Sequence, residues 1–310
     1  MIFCFFRKLT LTWGSMGEFD LKIYLSQRKQ LVEDALEKIF PVASGLQKKV
    51  IEAAHYSLFA GGKRLRPILC LASAEVVGGD IEPVLPAACA LEMIHTYSLI
   101  HDDLPAMDND DFRRGVPTNH KVFGEAIAIL AGDALLTEAF EYFALSGVSP
   151  NKVTEVIRIA VKAAGYRGMI GGQVIDLECE NRKVDLATVE YMHIHKTGAL
   201  LSASLEIGAI LGGGGQDQTS ALKNYGHHIG LAFQITDDLL DVEGDPALMG
   251  KTPGSDAAKN KMTYPALLGI ARSKDAAKEH VESAFEALAG FDVKAEPLRA
   301  IARYLLVRRG

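Results

Sequence analysis

Cysteine is scarce in this sequence, and its positions exclude two kinds of structural site. The four cysteines, Cys4, Cys70, Cys89 and Cys179, are far apart, and no two of them form the C-x-x-C pair of a zinc site. Their spacing does not indicate a disulfide framework either. We therefore interpret them as buried, reduced thiols of a cytoplasmic protein.

Long apolar runs and long basic runs are also lacking. No apolar run reaches the roughly 18–20 residues of a membrane-spanning helix, so we expect no stable membrane insertion. The net charge of −6 argues against a nucleic-acid binder. The first residues are apolar and precede Arg7 and Lys8, the reverse of a signal peptide. We predict that residues 1–15 are a disordered extension before Met16, with a weak membrane-surface tether as the alternative.

Strand patterns are absent as well, which leaves a helical fold. Apolar residues recur with helical spacing between prolines and glycines that punctuate the chain. The predicted helices cover about 20–40, 46–60, 67–77, 86–103, 120–130, 133–146, 151–170, 186–210 and 218–243, with two or three more after Pro265. Since 48% of the 310 residues are apolar and no linker interrupts them, we predict one all-α domain over residues 16–310.

Two aspartate clusters interrupt this apolar background. They are Asp102, Asp103 and Asp108, and then Asp237, Asp238 and Asp241. Asp237 and Asp241 are four residues apart, so they stack on one helix face, where like charges destabilise a helix that binds no cation. Mg²⁺ binds carboxylate oxygens and keeps waters that a phosphate can displace. The clusters therefore predict a magnesium site for a diphosphate; a solvated acidic helix end and a charged surface loop are the alternatives.

Basic residues accompany the acidic ones. Lys63, Arg64 and Arg66 follow two glycines at a predicted helix start, where free N–H groups bind anions. The segment is not a P-loop, because the G-x-x-x-x-G-K-[ST] spacing is missing. Arg113 and Arg114 follow the first acidic cluster, and arginine suits bidentate phosphate contact. Each group could instead be a solvated basic turn or a partner of nearby aspartates.

Two other kinds of metal site fit the sequence less well. An EF-hand that began at Asp108 would need glycine at its sixth position, where Arg113 stands. The His101-Asp102 pair is compatible with a metal phosphohydrolase, which needs further histidine ligands from separate positions. Candidates for these ligands are His55, His95, His193, His195, His227 and His228.

Seven segments together resemble the trans-prenyltransferases (polyprenyl synthetases), and among them the bacterial enzymes that form farnesyl diphosphate. The segments are 61–67, 97–108, 113–115, 172–176, 195–198, 233–241 and 250–252. Each one alone is a weak signal, but they occur in the family's order from about residue 20 to the end. The resemblance implies an isoprenoid-synthase-type helical bundle around a deep central cavity, and a homodimer.

The resemblance also implies how a metal and an allylic diphosphate would be bound. Three Mg²⁺ ions per active site, with Mn²⁺ as a possible substitute, would be held directly by Asp102, Asp108 and Asp237. Asp103, Asp238 and Asp241 would act directly or through water. The groups expected to grip the allylic diphosphate are Lys196, Lys251 and Arg113.

Further roles implied by the resemblance concern the second substrate and the carbocation. Isopentenyl diphosphate would occupy a metal-free pocket formed by Lys63, Arg66, His95 and Arg114. Thr197, Gln234 and the Lys196 carbonyl would stabilise the allylic cation, and Gln173 and Asp176 would orient ligands or basic groups. Arg308 or Arg309, in the basic C-terminus, is expected to help close the isopentenyl pocket.

The length of the product depends on residues one turn before Asp102. Tyr97 is large enough to stop a growing isoprenoid tail, and Ser98 is small. An aromatic residue five positions before the first aspartate, with two extra residues in the loop 102–108, resembles the farnesyl-forming bacterial subtype. We therefore predict that isopentenyl diphosphate condenses with dimethylallyl or geranyl diphosphate to give farnesyl diphosphate. The alternative is a geranyl or geranylgeranyl diphosphate synthase, with Tyr97 in ordinary helix packing.

Two related functions fit less well. A terpene cyclase typically has an Asn/Asp-Ser/Thr-Glu second motif, and it lacks the pocket of Lys63 and Arg66 because it binds one diphosphate. A non-enzymatic subunit of a heteromeric prenyltransferase normally loses one aspartate motif. This chain retains both motifs and the basic segment.

Overall fold

The chain is helical almost throughout, as its periodicity predicts. The computed structural model describes residues 19–180, 182–244 and 261–308, and the predicted N-terminal extension lies outside these ranges. Its α-helices are α1 (Leu21–Ile39), α2 (Lys48–Leu58), α3 (Leu65–Val76), α4 (Leu85–Asp102), α5 (Asn119–Phe123), α6 (Glu125–Ala144), α7 (Pro150–Ala164), α8 (Met169–Cys179), α9 (Leu186–His193), α10 (Ala199–Leu211), α11 (Gln216–Glu243), α12 (Tyr264–Leu268), α13 (Ile270–Ala287) and α14 (Glu296–Val307). Short 3-10 turns occur at Glu82–Val84 and Val293–Ala295, and a π-helical turn at Ile194–Gly198. The all-α prediction is confirmed.

Local sequence explains where several of these helices begin. Asp20 accepts a hydrogen bond from the Ile23 N–H at 3.0 Å, and Asp185 accepts one from the Thr188 N–H at 2.9 Å, so each side chain caps a helix N-terminus. Pro150 opens α7, where its missing N–H leaves no hydrogen bond unmade.

Two predicted helix boundaries are wrong, and one helix was not predicted. The break expected near residue 131 falls at Gly124, whose φ of 85° separates α5 from an uninterrupted α6. The helix predicted over 151–170 ends at Ala164. Helix α8 was not predicted, because Gly171 and Gly172 lower the helix propensity of its sequence. Packing against neighbouring helices outweighs this low propensity in the folded chain.

Helix α4 is the central helix of the bundle. It packs against α1, α2, α3, α6 and α10. By length and composition the stretch Glu82–Asp102 could cross a membrane, but 72% of its most apolar window is buried inside this molecule. Its apolar character on all sides is therefore explained by neighbouring helices of the same chain.

The two aspartate clusters lie toward the C-terminal ends of two long helices, at different distances from those ends. Asp102 is the last residue of α4, and Asp237 lies two turns before the end of α11. The negative end of the helix dipole disfavours carboxylates in the last turn of a helix. The fold thus places the first cluster where a cation is favourable.

Candidate active site

The loop after α4 returns to the end of that helix, as the sequence predicts. The Asp108 N–H donates a 2.8 Å hydrogen bond to the Asp102 carbonyl, which brings the two residues together across Pro105. Asn109 has a φ of 52°, a conformation that asparagine tolerates better than most residues. The turn therefore places Asp108 beside the end of α4.

Negative charge is crowded at this end of α4. Burial raises the pKa of Asp102 to about 6, against the attraction of Lys196 and with the repulsion of Asp108 and Asp103. Asp103 is 3% exposed and accepts a 2.6 Å hydrogen bond from the Arg113 guanidinium. Asp103 therefore holds Arg113, whereas Asp102 is left in an environment that a cation would improve.

The aspartates of the second cluster have different partners. The Arg308 guanidinium lies 2.6 Å from the half-exposed Asp237 carboxylate and also donates to Thr236 Oγ1 at 2.7 Å. Asp238 is buried and lies 3.2 Å from His193 Nε2, and it accepts the Tyr264 N–H at 3.0 Å. Asp238 thus ties α11 to α9 and α12, which favours a positioning role over direct metal binding.

Lys196 pairs with Asp176 and attracts Asp102 of the first cluster. It lies in the π-helical turn, a local widening that is frequent at functional sites. Its ammonium group donates to Asp176, which also lies 3.5 Å from Lys261 Nζ. Burial raises the pKa of Asp176, but the two lysines outweigh it and hold that pKa below its usual value. Asp176 therefore lies between two lysine ammonium groups, and its role in orienting basic groups stays a prediction.

A cavity of about 130 Å³ opens beside Lys196. Thr197 and Gln234, for which we predict a role near the reacting carbon, are among its lining residues. Other lining residues are Asp176, Asp238, Lys261, Met192 and Met262. The polar groups of this wall thus come from α8, α11, the π-helical turn and the segment before α12.

A close contact between glycines holds this wall together. A Cβ atom on Gly230 of α11 would lie 2.7 Å from the Gly198 Cα, at the end of the π-helical turn. The lack of a Cβ on Gly230 allows α11 to approach the turn this closely, and Gln234, one turn further along α11, lines the same cavity as Thr197.

We expect Gly230→Ala to push α11 away from the π-helical turn. The overpacking should destabilise the fold by about 1–3 kcal/mol. The turnover number should fall by a larger factor than the factor by which the KM of either substrate changes. Thermal unfolding and steady-state kinetics measure the two effects. Gly290→Ala is the matched control, because a Cβ there meets nothing within 4 Å. Equal behaviour of the two variants would contradict the role of the glycine contact.

Cations from three segments form a second, separate group. Burial lowers the pKa of Arg66 to about 10, with Arg114 lowering it further and Glu92 opposing. Burial also lowers the pKa of His95 well below its usual value, and the nearby Arg66 and Arg114 add to the effect. Arg66 Nε is buried and has no partner among the described residues. These side chains therefore form an electropositive pocket that an anion would stabilise.

The loops that carry these cations are held against one another. The Arg114 guanidinium donates to the Gly61 carbonyl and lies so close that a Cβ on Gly62 would be 2.6 Å from its Cζ atom. Arg114 has a φ of 56° in the turn between the short strands Phe112–Arg113 and Val116–Pro117. The hairpin thereby sets Arg113 toward Asp103 and Arg114 toward the glycine loop.

Arg308 lies between the two groups. Lys63 has its pKa lowered by burial and by Arg308, while Asp237 opposes the shift. The C-terminal arginine therefore contacts the second aspartate cluster and lies close to Lys63. This position supports the prediction that Arg308 helps close the isopentenyl pocket. Lys251 and Arg309 lie outside the described residues.

The predicted chain-length residues differ in their surroundings. Tyr97 is 5% exposed, and its ring packs edge-on against His101 at a centroid distance of 5.7 Å. Ser98 is half-buried and donates to the His95 carbonyl at 2.9 Å. Gln173 is half-buried, and its Nε2 has no partner among the described residues.

The donor set suits a divalent cation that is shared with a bound anion. Carboxylates are the ligands Mg²⁺ prefers, and Asp102 is an unfavourably buried one. Among the described residues no three His, Cys, Asp or Glu side chains are close enough to hold a metal ion by themselves. The histidine-rich site of a phosphohydrolase is thus not supported. The aspartates would need ligand oxygens from a bound diphosphate to complete a metal site.

The sequence did not point to Lys261 or Glu92. Lys261 lies in an irregular segment, where no spacing relates it to Asp176, 85 positions earlier. Glu92 is an acidic residue in an otherwise apolar helix and is 1% exposed. A charged residue within an apolar stretch was the one sequence signal that could have singled out Glu92.

The all-α bundle carries one group of carboxylates and one group of cations, an arrangement that suits a substrate with diphosphate groups. A profile of the family described as polyprenyl synthetase matches residues 47–296. The chain is 51% identical over 304 residues to a dimethylallyltranstransferase of Fischerella ambigua, covering 97% of this chain and 87% of that one. It is 49% identical over 293 residues to a geranylgeranyl diphosphate synthase of Cyanophora paradoxa, covering 94% and 97%.

Solved structures agree with these relatives. An FPP/GFPP synthase from Zymomonas mobilis has a TM-score of 0.83 and 41% identity, covering 92% of this chain and 98% of that one. Geranylgeranyl pyrophosphate synthetase from Pyrococcus horikoshii has a TM-score of 0.86 and 33% identity, covering 93% and 98%. The chain belongs to the polyprenyl synthetase family. It is a prenyltransferase of isoprenoid biosynthesis, and members of this family use a divalent metal.

Proposed function

We propose that this protein elongates an allylic diphosphate with isopentenyl diphosphate in a Mg²⁺-dependent, head-to-tail condensation, and that geranylgeranyl diphosphate is its main product. The observation that carries the proposal is the presence of two anion sites of different chemistry. One combines carboxylates with Lys196, and the other has Lys63, Arg66, His95 and Arg114 as its cations. A cyclase needs only the first site, whereas a condensing enzyme needs both.

The first site suits the departure of diphosphate from the allylic substrate. Mg²⁺, when bound by Asp102, Asp108 and Asp237, would neutralise the charge that develops as the C–O bond breaks. Lys196 and Lys261, held by Asp176, add positive charge to the same wall. The half-exposed Asp237 supports direct metal binding, while Asp103 holds Arg113 for the same anion.

The second site positions the isopentenyl group without a metal. Arg66 and Arg114 offer guanidinium donors, which match diphosphate oxygens in a bidentate manner. Burial keeps His95 neutral, so it can donate one hydrogen bond without a charge. The isopentenyl double bond would then attack the allylic cation beside Thr197 and Gln234. The departed diphosphate is available to accept the proton lost from the adduct.

The product is proposed from the relatives and from one residue. Relatives named for geranylgeranyl diphosphate support a product of twenty carbons better than the farnesyl product that the sequence predicts. Farnesyl diphosphate is the second candidate, because a buried Tyr97 stands one turn before Asp102. The cytoplasmic location and the homodimer remain predictions.

The test is to incubate the purified protein with Mg²⁺, labelled isopentenyl diphosphate and dimethylallyl, geranyl or farnesyl diphosphate in separate reactions. After dephosphorylation, chromatography gives the chain length of the alcohols. Geranylgeraniol from all three starters would support the proposal, and farnesol from the first two with no use of the third would support the second candidate. Cyclic hydrocarbons, or no condensation, would contradict both.

Removal of the metal should abolish the reaction and leave the isopentenyl site intact. With excess EDTA we expect product formation to fall at least a hundredfold, and Mg²⁺ should restore it. Isopentenyl diphosphate should still bind to the metal-free protein in calorimetry, because its pocket consists of cationic side chains. Loss of that binding with EDTA would contradict the division into a metal site and a metal-free site.

A further inference from the structure

Arg64 is a buried arginine for which the proposed chemistry has no use. It lies in the glycine loop between Lys63 and Arg66, yet it is only 2% exposed, while Lys63 is exposed. Its φ of 52° is a left-handed conformation that residues with a Cβ rarely adopt. The loop keeps this conformation, so the inward side chain must be held by strong contacts.

The contacts of Arg64 join three helices to the loop. Its Nη1 donates to the Glu92 carboxylate of α4 at 2.8 Å, and its Nη2 donates to the Leu58 carbonyl at the end of α2 at 2.7 Å. Its Nε lies 3.5 Å from the Glu33 carboxylate of α1. A planar guanidinium can make these contacts together, whereas an ammonium group cannot offer the same fork of donors.

Glu92 links this arrangement to the cationic pocket. It is 1% exposed and lies three residues before His95, so the two side chains share one face of α4. Its charge also acts on Arg66 and Arg114, the guanidinium groups of the pocket. The Arg64–Glu92 ion pair therefore joins the loop of Lys63 and Arg66 to the helix face of His95.

We propose that Arg64 and Glu92 are positioning residues that set Lys63 and Arg66 against His95 and thereby determine the affinity for isopentenyl diphosphate. This inference rests on the proposed function of that pocket. We expect it to affect isopentenyl diphosphate more than the allylic substrate, because Glu92 lies ten residues, about 15 Å along α4, before Asp102 of the metal site.

The test is the double variant Arg64→Met/Glu92→Leu, which removes both charges and replaces them with apolar groups of similar size. Because neither charge is left buried alone, the fold should be retained. We expect the Kd for isopentenyl diphosphate, measured by calorimetry on the metal-free protein, to rise at least tenfold. The KM for the allylic diphosphate should change less than twofold.

A half-buried ion pair elsewhere in the bundle provides the control. Arg28 of α1 pairs with Glu75 of α3, which also accepts a 2.7 Å hydrogen bond from the Tyr24 hydroxyl. Arg28→Met/Glu75→Gln should alter thermal stability without changing the Kd for isopentenyl diphosphate. If the double variant at 64 and 92 unfolds, the Kd for isopentenyl diphosphate is measured on Arg64→Lys instead. This variant keeps the charge and loses the fork of donors, so a raised Kd would support the positioning role.

The outcomes separate this inference from the function on which it rests. A selective rise in the isopentenyl Kd supports the positioning role. An unchanged Kd, or equal losses for both substrates, overturns it. If the wild type binds isopentenyl diphosphate but forms no product, the proposed function fails while the binding comparison still decides the role of Arg64. If the wild type does not bind it at all, both are wrong.

Discussion

Replacing Asp102 with asparagine is expected to abolish condensation while it makes the metal-free protein more stable. Asparagine has a similar shape but lacks the charge that would hold Mg²⁺ at the end of α4. The loss of several kcal/mol of charge stabilisation should lower the turnover number on the order of a thousandfold. Steady-state rates at saturating Mg²⁺ and both substrates measure this effect.

The gain in stability follows from the raised pKa of the same carboxyl. The pKa of about 6 in the folded state exceeds the value of about 3.9 expected in the unfolded chain. The favourable contribution of the protonated group is therefore fully present below pH 3.9 and is lost as the pH rises through 6. At pH 7 the difference between the two pKa values means that the ionised carboxylate lowers the free energy of unfolding by about 3 kcal/mol, and solvent screening reduces this figure.

Thermal unfolding in EDTA tests this prediction. Asp102→Asn should unfold at a higher temperature than the wild type at pH 7.5, and the difference should shrink as the pH falls toward 5. Asp111→Asn, in the loop after α4, is the control, because the exposed Asp111 carboxylate lies 2.6 Å from the Lys121 ammonium group of α5. A variant at 102 that keeps its rate, or one that unfolds earlier at pH 7.5, would contradict the assignment of Asp102 to the metal site.

The parts of this site that could be predicted from the sequence are those set by local spacing. The helix period places Asp237 and Asp241 on one face, and Pro105 requires the loop that returns Asp108 to Asp102. Both follow from the backbone alone. The sequence also predicted the cationic nature of the glycine loop, since a helix start binds anions regardless of its partners.

Contacts between distant segments could not be predicted in this way. The pairing of Arg64 with Glu92 spans 28 positions, and nothing in the local sequence shows which of three neighbouring cations points inward. Lys261 approaches Asp176 from 85 positions further along the chain, a separation at which no local spacing relates the two residues. The π-helical turn at Lys196 arises where α11 packs against α9 and α10, a tertiary effect that the period of 3.6 does not reveal.

The last prediction concerns Tyr97 and product length. Its hydroxyl is buried without a partner among the described residues, and burial near Asp102 raises its pKa to about 12. Phenylalanine would fill the same space without a buried hydroxyl, so packing alone does not explain a tyrosine here. We expect Tyr97→Ala to open space one turn before the metal site and to lengthen the main product by at least one five-carbon unit.

The control must create a cavity of the same size elsewhere. Tyr142 of α6 belongs to the same core and is 9% exposed. It lies ten residues, about 15 Å along the helix, after Gly132, where α6 contacts His101. Tyr142→Ala should lose about 3–5 kcal/mol of stability, as should Tyr97→Ala, but its product should match the wild type. Longer products from Tyr97→Ala alone would make Tyr97 the residue that limits the chain. Identical products from both variants would leave Tyr97 as a packing residue, and the limit on chain length would have to lie elsewhere along the cavity.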